Sequence, residues 1–159
     1  MTYFISGGAG SGKSQLAHRL AEELSGGRKL YYLATLIPSD AEDKERIRNH
    51  VKEREGLGFE TIECFGSIAD CLKTADKSGT FLVDSVTSLM QNAMFPKSKN
   101  YALDVSAAAR CIDDLVKFAE TVRHAVFVSD FIFSDAEIFS ETTEDYRRAL
   151  ALAGCRLAA

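Results

Sequence analysis

Short apolar runs alternate with longer stretches of helically spaced residues along this chain. Thr2–Ser6 is the first apolar run, and it leads into a glycine-rich turn at Gly7–Gly12. From about Lys13, Leu16, Ala17, Leu20 and Leu24 recur at helical spacing until Gly26-Gly27 stops the pattern. Lys29–Ala34 reads as a buried strand. Pro38 then breaks the chain. Ser39 and Glu42, three positions apart, predict a capping box for a helix that runs to about Arg54 and ends at Gly56 and Gly58.

The second half repeats the alternation. Phe59–Cys64 predicts a strand, with a short helix from Ser67. Thr80–Asp84 predicts another strand, followed by an apolar helix through Leu89 and Met94 that stops before Pro96. A longer helix, about Asp104–Arg123, carries Ile112, Leu115, Val116, Ala119 and Val122 on one face. Ala125–Ser129 is the last predicted strand, and a helix from about Thr142 closes the chain. Continuously apolar strands alternating with helices predict an α/β protein with a mostly parallel central sheet flanked by helices.

Composition narrows the class. The 159 residues suit one domain, 1–159, against a prior of about 150 residues per domain. With 46 % hydrophobic and 26 % charged residues, the chain can bury a core in water. Nineteen basic side chains against 23 acidic ones leave a net charge of −4. That balance argues against a nucleic-acid coat or a polybasic membrane binder. No apolar run reaches the roughly 18 residues of a membrane span, and Met1–Ser6 lacks the basic region of a signal peptide. Cys64, Cys71, Cys111 and Cys155 form no C-x-x-C pair, so they suggest neither a zinc cluster nor a redox motif and fit reduced thiols in the cytoplasm.

The chemistry is densest near the N-terminus. Gly7-Gly8-Ala9-Gly10-Ser11-Gly12-Lys13-Ser14 fits G-x-x-x-x-G-K-[ST], between an apolar strand and an amphipathic helix. Glycines let backbone N–H groups turn inward around phosphate oxygens, and the following helix aims its positive end at the same place. Lys13 adds a cation for the outer phosphates, and the Ser14 hydroxyl suits Mg²⁺. The pattern predicts a P-loop NTPase. A metal carboxylate belongs at the end of a neighbouring strand; Asp84 is the first choice and Asp130 its rival. The guanine-reading N-K-x-D pattern of switch GTPases is absent.

Arg46, His50 and Arg54 stand four apart on the helix after Pro38 and so share one face. Guanidiniums beside an imidazole favour its neutral, nucleophilic form and attract phosphate. The trio therefore suits attack by His50 on phosphorus. A solvated helix face among Glu42, Asp43, Lys44, Glu45, Lys52 and Glu53 fits the same spacing. His18 and His124 have no comparable setting and read as structural.

These residues resemble the bifunctional adenosylcobinamide kinase / adenosylcobinamide-phosphate guanylyltransferase family. The resemblance runs through GGAGSGKS (Gly7–Ser14), YLAT (Tyr32–Thr35), RIRNHVKER (Arg46–Arg54), FETIEC (Phe59–Cys64) and FLVDSVTSLMQNAMF (Phe81–Phe95). It implies a RecA-like fold, homotrimers, and two reactions on a corrinoid substrate. The first phosphorylates adenosylcobinamide with ATP or GTP. The second transfers GMP from GTP to the new phosphate through a guanylylated histidine, which His50 matches. Lys13, Ser14 and Asp84 match the phosphate-loop and metal positions, and Glu63 matches a glutamate associated with nucleotide binding. The chain departs from the family pattern at Gly10, often Arg, and at His18, often Glu. It departs again at Asp130–Asp135, which replaces Asn-Glu-Val-Gly-x-Gly. A further sheet-closing strand is expected after Ala159. Two other readings stay open: a small-molecule kinase without a covalent histidine, and a nucleotide-binding subunit that has lost catalysis.

Overall fold

The computed structural model describes residues 1–133 and 139–159. Five strands, β1 (Thr2–Gly7), β2 (Leu30–Ala34), β3 (Phe59–Glu63), β4 (Thr80–Asp84) and β5 (His124–Asp130), form one sheet in the order β1-β5-β4-β2-β3. All its pairings are parallel, including Gly7 opposite Asp130 and Ala34 opposite both Asp84 and Glu63. The C-terminal ends of the strands therefore line up along one rim, the edge at which open α/β sheets collect their functional residues.

Side-chain alternation divides the core into two layers. Leu82, Val126 and Val128 point to one face, where they meet Leu30, Tyr32 and the small residues Ala17 and Ala21 of α1 (Lys13–Ser25). Phe81, Val83, Ala125 and Phe127 point to the other. There they meet α3 (Val86–Met94), α4 (Val105–Thr121) and α5 (Glu141–Ala158). β4 and β5 are covered on both sides, which is why their sequences read as unbroken apolar runs. Close packing reaches the β1 side too: a Cβ on Gly154 of α5 would meet the Phe4 ring at 3.2 Å. Two 3₁₀ turns, Ile68–Lys73 and Lys97–Lys99, complete the described elements.

The helix between β2 and β3 is different. α2 (Ala41–Glu53) buries none of its residues. Its start also corrects the predicted capping box. Asp40, not Ser39, is the N-cap, and its carboxylate accepts from Asp43 N–H at 2.8 Å. Asp43 reaches back to accept from Ser39 N–H and Oγ–H at 2.9 and 2.6 Å, so the reciprocal pair lies one residue later than the Ser39–Glu42 spacing suggests. Aspartate caps as well as serine, and a carboxylate at the third helical position closes the loop as glutamate does.

Candidate functional site

Two adjoining cavities open along the C-terminal rim of the sheet. The larger, about 720 Å³, is bounded by the glycine-rich loop, one side of α2 and the chain leaving β5. The smaller, about 240 Å³, lies over the ends of β2, β3 and β4 and includes Tyr32, Glu63 and Asp84. Arg46 and His50 line both.

The loop follows from its sequence. Gly10 and Gly12 sit at φ +69° and +81°, a region that side chains rarely enter. The turn between β1 and α1 can therefore close with its N–H groups on the cavity side. Gly12 is the N-cap of α1 and has no side chain to satisfy the first helical N–H groups, and the first turn carries no acid. These free donors, with the helix dipole behind them, make an anion site. Lys13 is folded down within the loop: its Nζ donates to Gly8 O at 3.1 Å and pairs with Asp130 at 2.9 Å. Asp130 is in turn held by its own N–H donating to Thr87 Oγ1 at 2.8 Å. Ser14 and Asp130 line the loop cavity with Gly10, Ser11 and Gly12, while Asp84 lines the neighbouring one. Of the Asp130–Asp135 segment, Ser134 and Asp135 lie outside the described residues.

Asp84 ends β4 and faces histidines. His50, in the last turn of α2, places Nδ1 3.5 Å from Asp84 Oδ2 and 3.8 Å from Glu53 Oε2. Tyr32 donates its hydroxyl to the same Asp84 oxygen at 3.0 Å. Burial, with Asp84 beside it, pushes the Tyr32 phenol well above its ordinary range, so it stays a donor. Arg54, the C-cap of α2, lays its guanidinium 3.9 Å from the centre of the Tyr32 ring and donates to Thr61 Oγ1 at 3.3 Å. Of the two arginines predicted to gather phosphates, only Arg46 reaches the loop cavity; Arg54 is engaged in fastening α2 to the sheet.

Three contributors are invisible in the spacing arguments. Tyr32 orients Asp84 and carries Arg54. Thr35 Oγ1 donates to Ser85 O at 2.9 Å and accepts from Ser85 N–H at 2.6 Å, which ties the end of β2 to the turn after Asp84. His18, expected to be structural, is brought by α1 to Asp84 and His50: one ligand atom from each of the three lies within 4.8 Å of the other two. Burial lowers the His18 pKa below its ordinary value, with Asp84 opposing. Its ring packs near Phe59 and Tyr32. Both Tyr32 and Thr35 fall in the YLAT stretch, whose polar residues at the end of a buried strand were the available signal.

A family model described as cobinamide kinase / cobinamide phosphate guanyltransferase matches residues 3–159. The bifunctional adenosylcobalamin biosynthesis protein CobP of Pseudomonas aeruginosa is 37 % identical over 95 residues, which covers 59 % of this chain and 53 % of that protein. The matched stretch thus spans about half the length of that curated relative. Among solved structures, the ATPase domain of a helicase superposes with a TM-score of 0.51 at 13 % identity, over 94 % of this chain and 66 % of that one. The flagellar accessory protein FlaH from Methanocaldococcus jannaschii gives 0.46 at 13 % identity, over 94 % and 67 %. The likeness to the ATPase domain bears on the fold, which is that of P-loop ATPases. No helix among the described residues is long and apolar enough to cross a membrane.

Proposed function

Because this chain belongs to the cobinamide kinase / cobinamide phosphate guanyltransferase family, we propose that it phosphorylates adenosylcobinamide with ATP or GTP and then guanylylates the product from GTP through His50. The observation that carries this reading is the position of His50 on the boundary of both cavities, with Nδ1 turned toward Asp84 and Glu53. A proton on Nδ1, aimed at those carboxylates, leaves the Nε2 lone pair as the nucleophile.

In the first reaction the loop N–H groups and Lys13 hold the triphosphate, and the lysine offsets charge developing on the transferred phosphoryl group. In the second, His50 Nε2 bonds to the α-phosphorus of GTP, and the bond to the bridging oxygen breaks to release pyrophosphate. The corrinoid phosphate oxygen then takes the GMP and frees the histidine. Arg46 steers phosphates between the cavities, and Glu63 at the end of β3 contacts the nucleotide. The oxygen donors of Ser14 and Asp84 suit Mg²⁺, with Asp130 as the alternative carboxylate, and the ion would neutralise phosphate charge. The same reading makes the protein a cytoplasmic homotrimer.

Incubation with Mg²⁺ and GTP labelled on the α- or γ-phosphate, without corrinoid, tests the proposal. We expect α-label alone on the protein, stable in alkali, labile in acid and absent from His50→Ala. The variant should keep most of the kinase step. No α-label despite measurable GTP binding overturns the covalent mechanism. Adenosylcobinamide phosphorylation surviving in that protein would leave a plain kinase.

A further inference from the structure

The meeting of His18, His50 and Asp84 is more than the phosphoryl chemistry requires. His18 is only 3 % exposed, and its Nε2 has no hydrogen-bond partner among the described residues. His50 Nδ1 is also buried without a hydrogen bond, its 3.5 Å approach to Asp84 notwithstanding. A buried polar atom left unpaired costs about 1–3 kcal/mol. Here two such nitrogens, from α1 and α2, lie beside one carboxylate that is itself anchored by Tyr32. We propose that His18 Nε2, His50 Nδ1 and the Asp84 carboxylate bind one divalent first-row transition metal ion of the Zn²⁺ type.

The donor set selects the ion class. Two imidazoles and a carboxylate suit Zn²⁺, Co²⁺ or Fe²⁺, whereas Mg²⁺ takes oxygen donors. Ligand atoms about 2.1 Å from a tetrahedral ion stand about 3.4 Å apart, so the cluster, now within 4.8 Å, must draw in by about one ångström. His50 can supply that movement, because α2 buries none of its residues. Glu53, with Oε2 3.8 Å from His50 Nδ1, is placed to become the fourth ligand. Tyr32 holds Asp84 in orientation, as an outer partner does for a ligating group. The carboxylates of Asp84 and Glu53 offset the positive charge of Arg46 and Arg54 around the same cavities.

The site also has a consequence that rests on the function proposed above. A metal ion on Nδ1 leaves the imidazole proton on Nε2, so the nitrogen that would attack phosphorus no longer has a free lone pair. The ion also occupies Asp84. A bound transition metal therefore holds the protein in a state that cannot be guanylylated.

The test uses the full chain, stripped of metal and titrated with Co²⁺. We expect one equivalent to bind with the visible bands of a tetrahedral nitrogen–oxygen site, to be displaced by Zn²⁺ and to be unmoved by excess Mg²⁺. His18→Asn should weaken binding at least about tenfold, with circular dichroism confirming that the variant folds. His50→Ala, on a helix with no buried residues, provides the same test if it does not. Absence of stoichiometric binding, or binding unchanged in both variants, overturns the site. Zn²⁺ should also suppress α-label from GTP, and a chelator should restore it. α-Label in a protein that binds no Co²⁺ removes the metal site alone; Co²⁺ binding without α-label removes the guanylylation reading alone.

Discussion

The Nζ of Lys13 lies 2.9 Å from the Asp130 carboxylate, so the cation of the phosphate loop already has a partner at the end of the adjacent strand. Both groups are mostly shielded, with side chains 9 % and 24 % exposed. An incoming triphosphate must share or displace that carboxylate, and its own charge repels it. Asp130→Asn should therefore tighten nucleotide binding in Mg²⁺-free buffer by about three- to tenfold, as expected for removing about 1 kcal/mol of competition. Titration with and without Mg²⁺ checks this, and adds a second result. If the variant loses the tightening that Mg²⁺ brings while Asp84→Asn keeps it, Asp130 is the metal carboxylate.

Arg54 tests whether a helical spacing was correctly turned into a role. Its guanidinium stacks 3.9 Å from the Tyr32 ring centre and donates to Thr61, contacts that fix the end of α2 where His50 sits. Lysine keeps the charge but lacks the planar fork that stacks and bonds at once. We expect Arg54→Lys to slow α-labelling of the protein about three- to thirtyfold while nucleotide affinity stays within about twofold, since misplacing a reactive group lowers rate more than binding. Single-turnover labelling and a binding titration separate the two. Lost affinity with unchanged labelling would return Arg54 to direct phosphate contact.

Thr35 is buried at 0 % exposure and holds both Ser85 N–H and Ser85 O with one hydroxyl. Thr35→Val preserves shape but leaves two backbone groups unpaired in the core. At about 1–3 kcal/mol for each, unfolding stability should fall by roughly 2–4 kcal/mol. Thr35→Ser keeps the hydroxyl and should lose only about 1 kcal/mol, the value of the missing methyl. Urea unfolding of the three proteins checks the order. A Val variant as stable as wild type would show that Ser85 finds another partner.

What could be read in the chain beforehand was whatever is local. Lys13 and Ser14 stand at fixed distances from the loop glycines, and His50 falls on one helix face with Arg46, so neighbours in sequence carry those readings. TFLVD and AVFVS were recognisable because β4 and β5 are buried on both faces. The partnership of His18 with His50 and Asp84 depends on the order β1-β5-β4-β2-β3, which sets β4 next to β2 and beneath α1. No local pattern encodes that order. The capping of α2 slipped by one residue for a different reason: Ser39, Asp40 and Asp43 are all competent to cap or reciprocate, and packing decides among them.

Asp104 carries a dependence on pH that can be signed in advance. Its carboxylate accepts from Lys99 Nζ and Ser106 Oγ at 2.6 Å each and caps α4 through Ala107 N–H at 3.3 Å. The Lys99 bond first, then Ser106, hold its pKa down to about 2, against about 3.9 in an unfolded chain. A depressed folded pKa contributes stability that is fully present above the unfolded value and is lost as pH falls through the folded one. Asparagine caps a helix as well as aspartate but carries no charge. Asp104→Asn should thus be less stable than wild type near pH 6. The difference should shrink between about pH 4 and pH 2, because wild type alone loses the ionised carboxylate. Urea midpoints of both proteins across that range check it. A gap that stays constant would assign the effect to shape and not to charge.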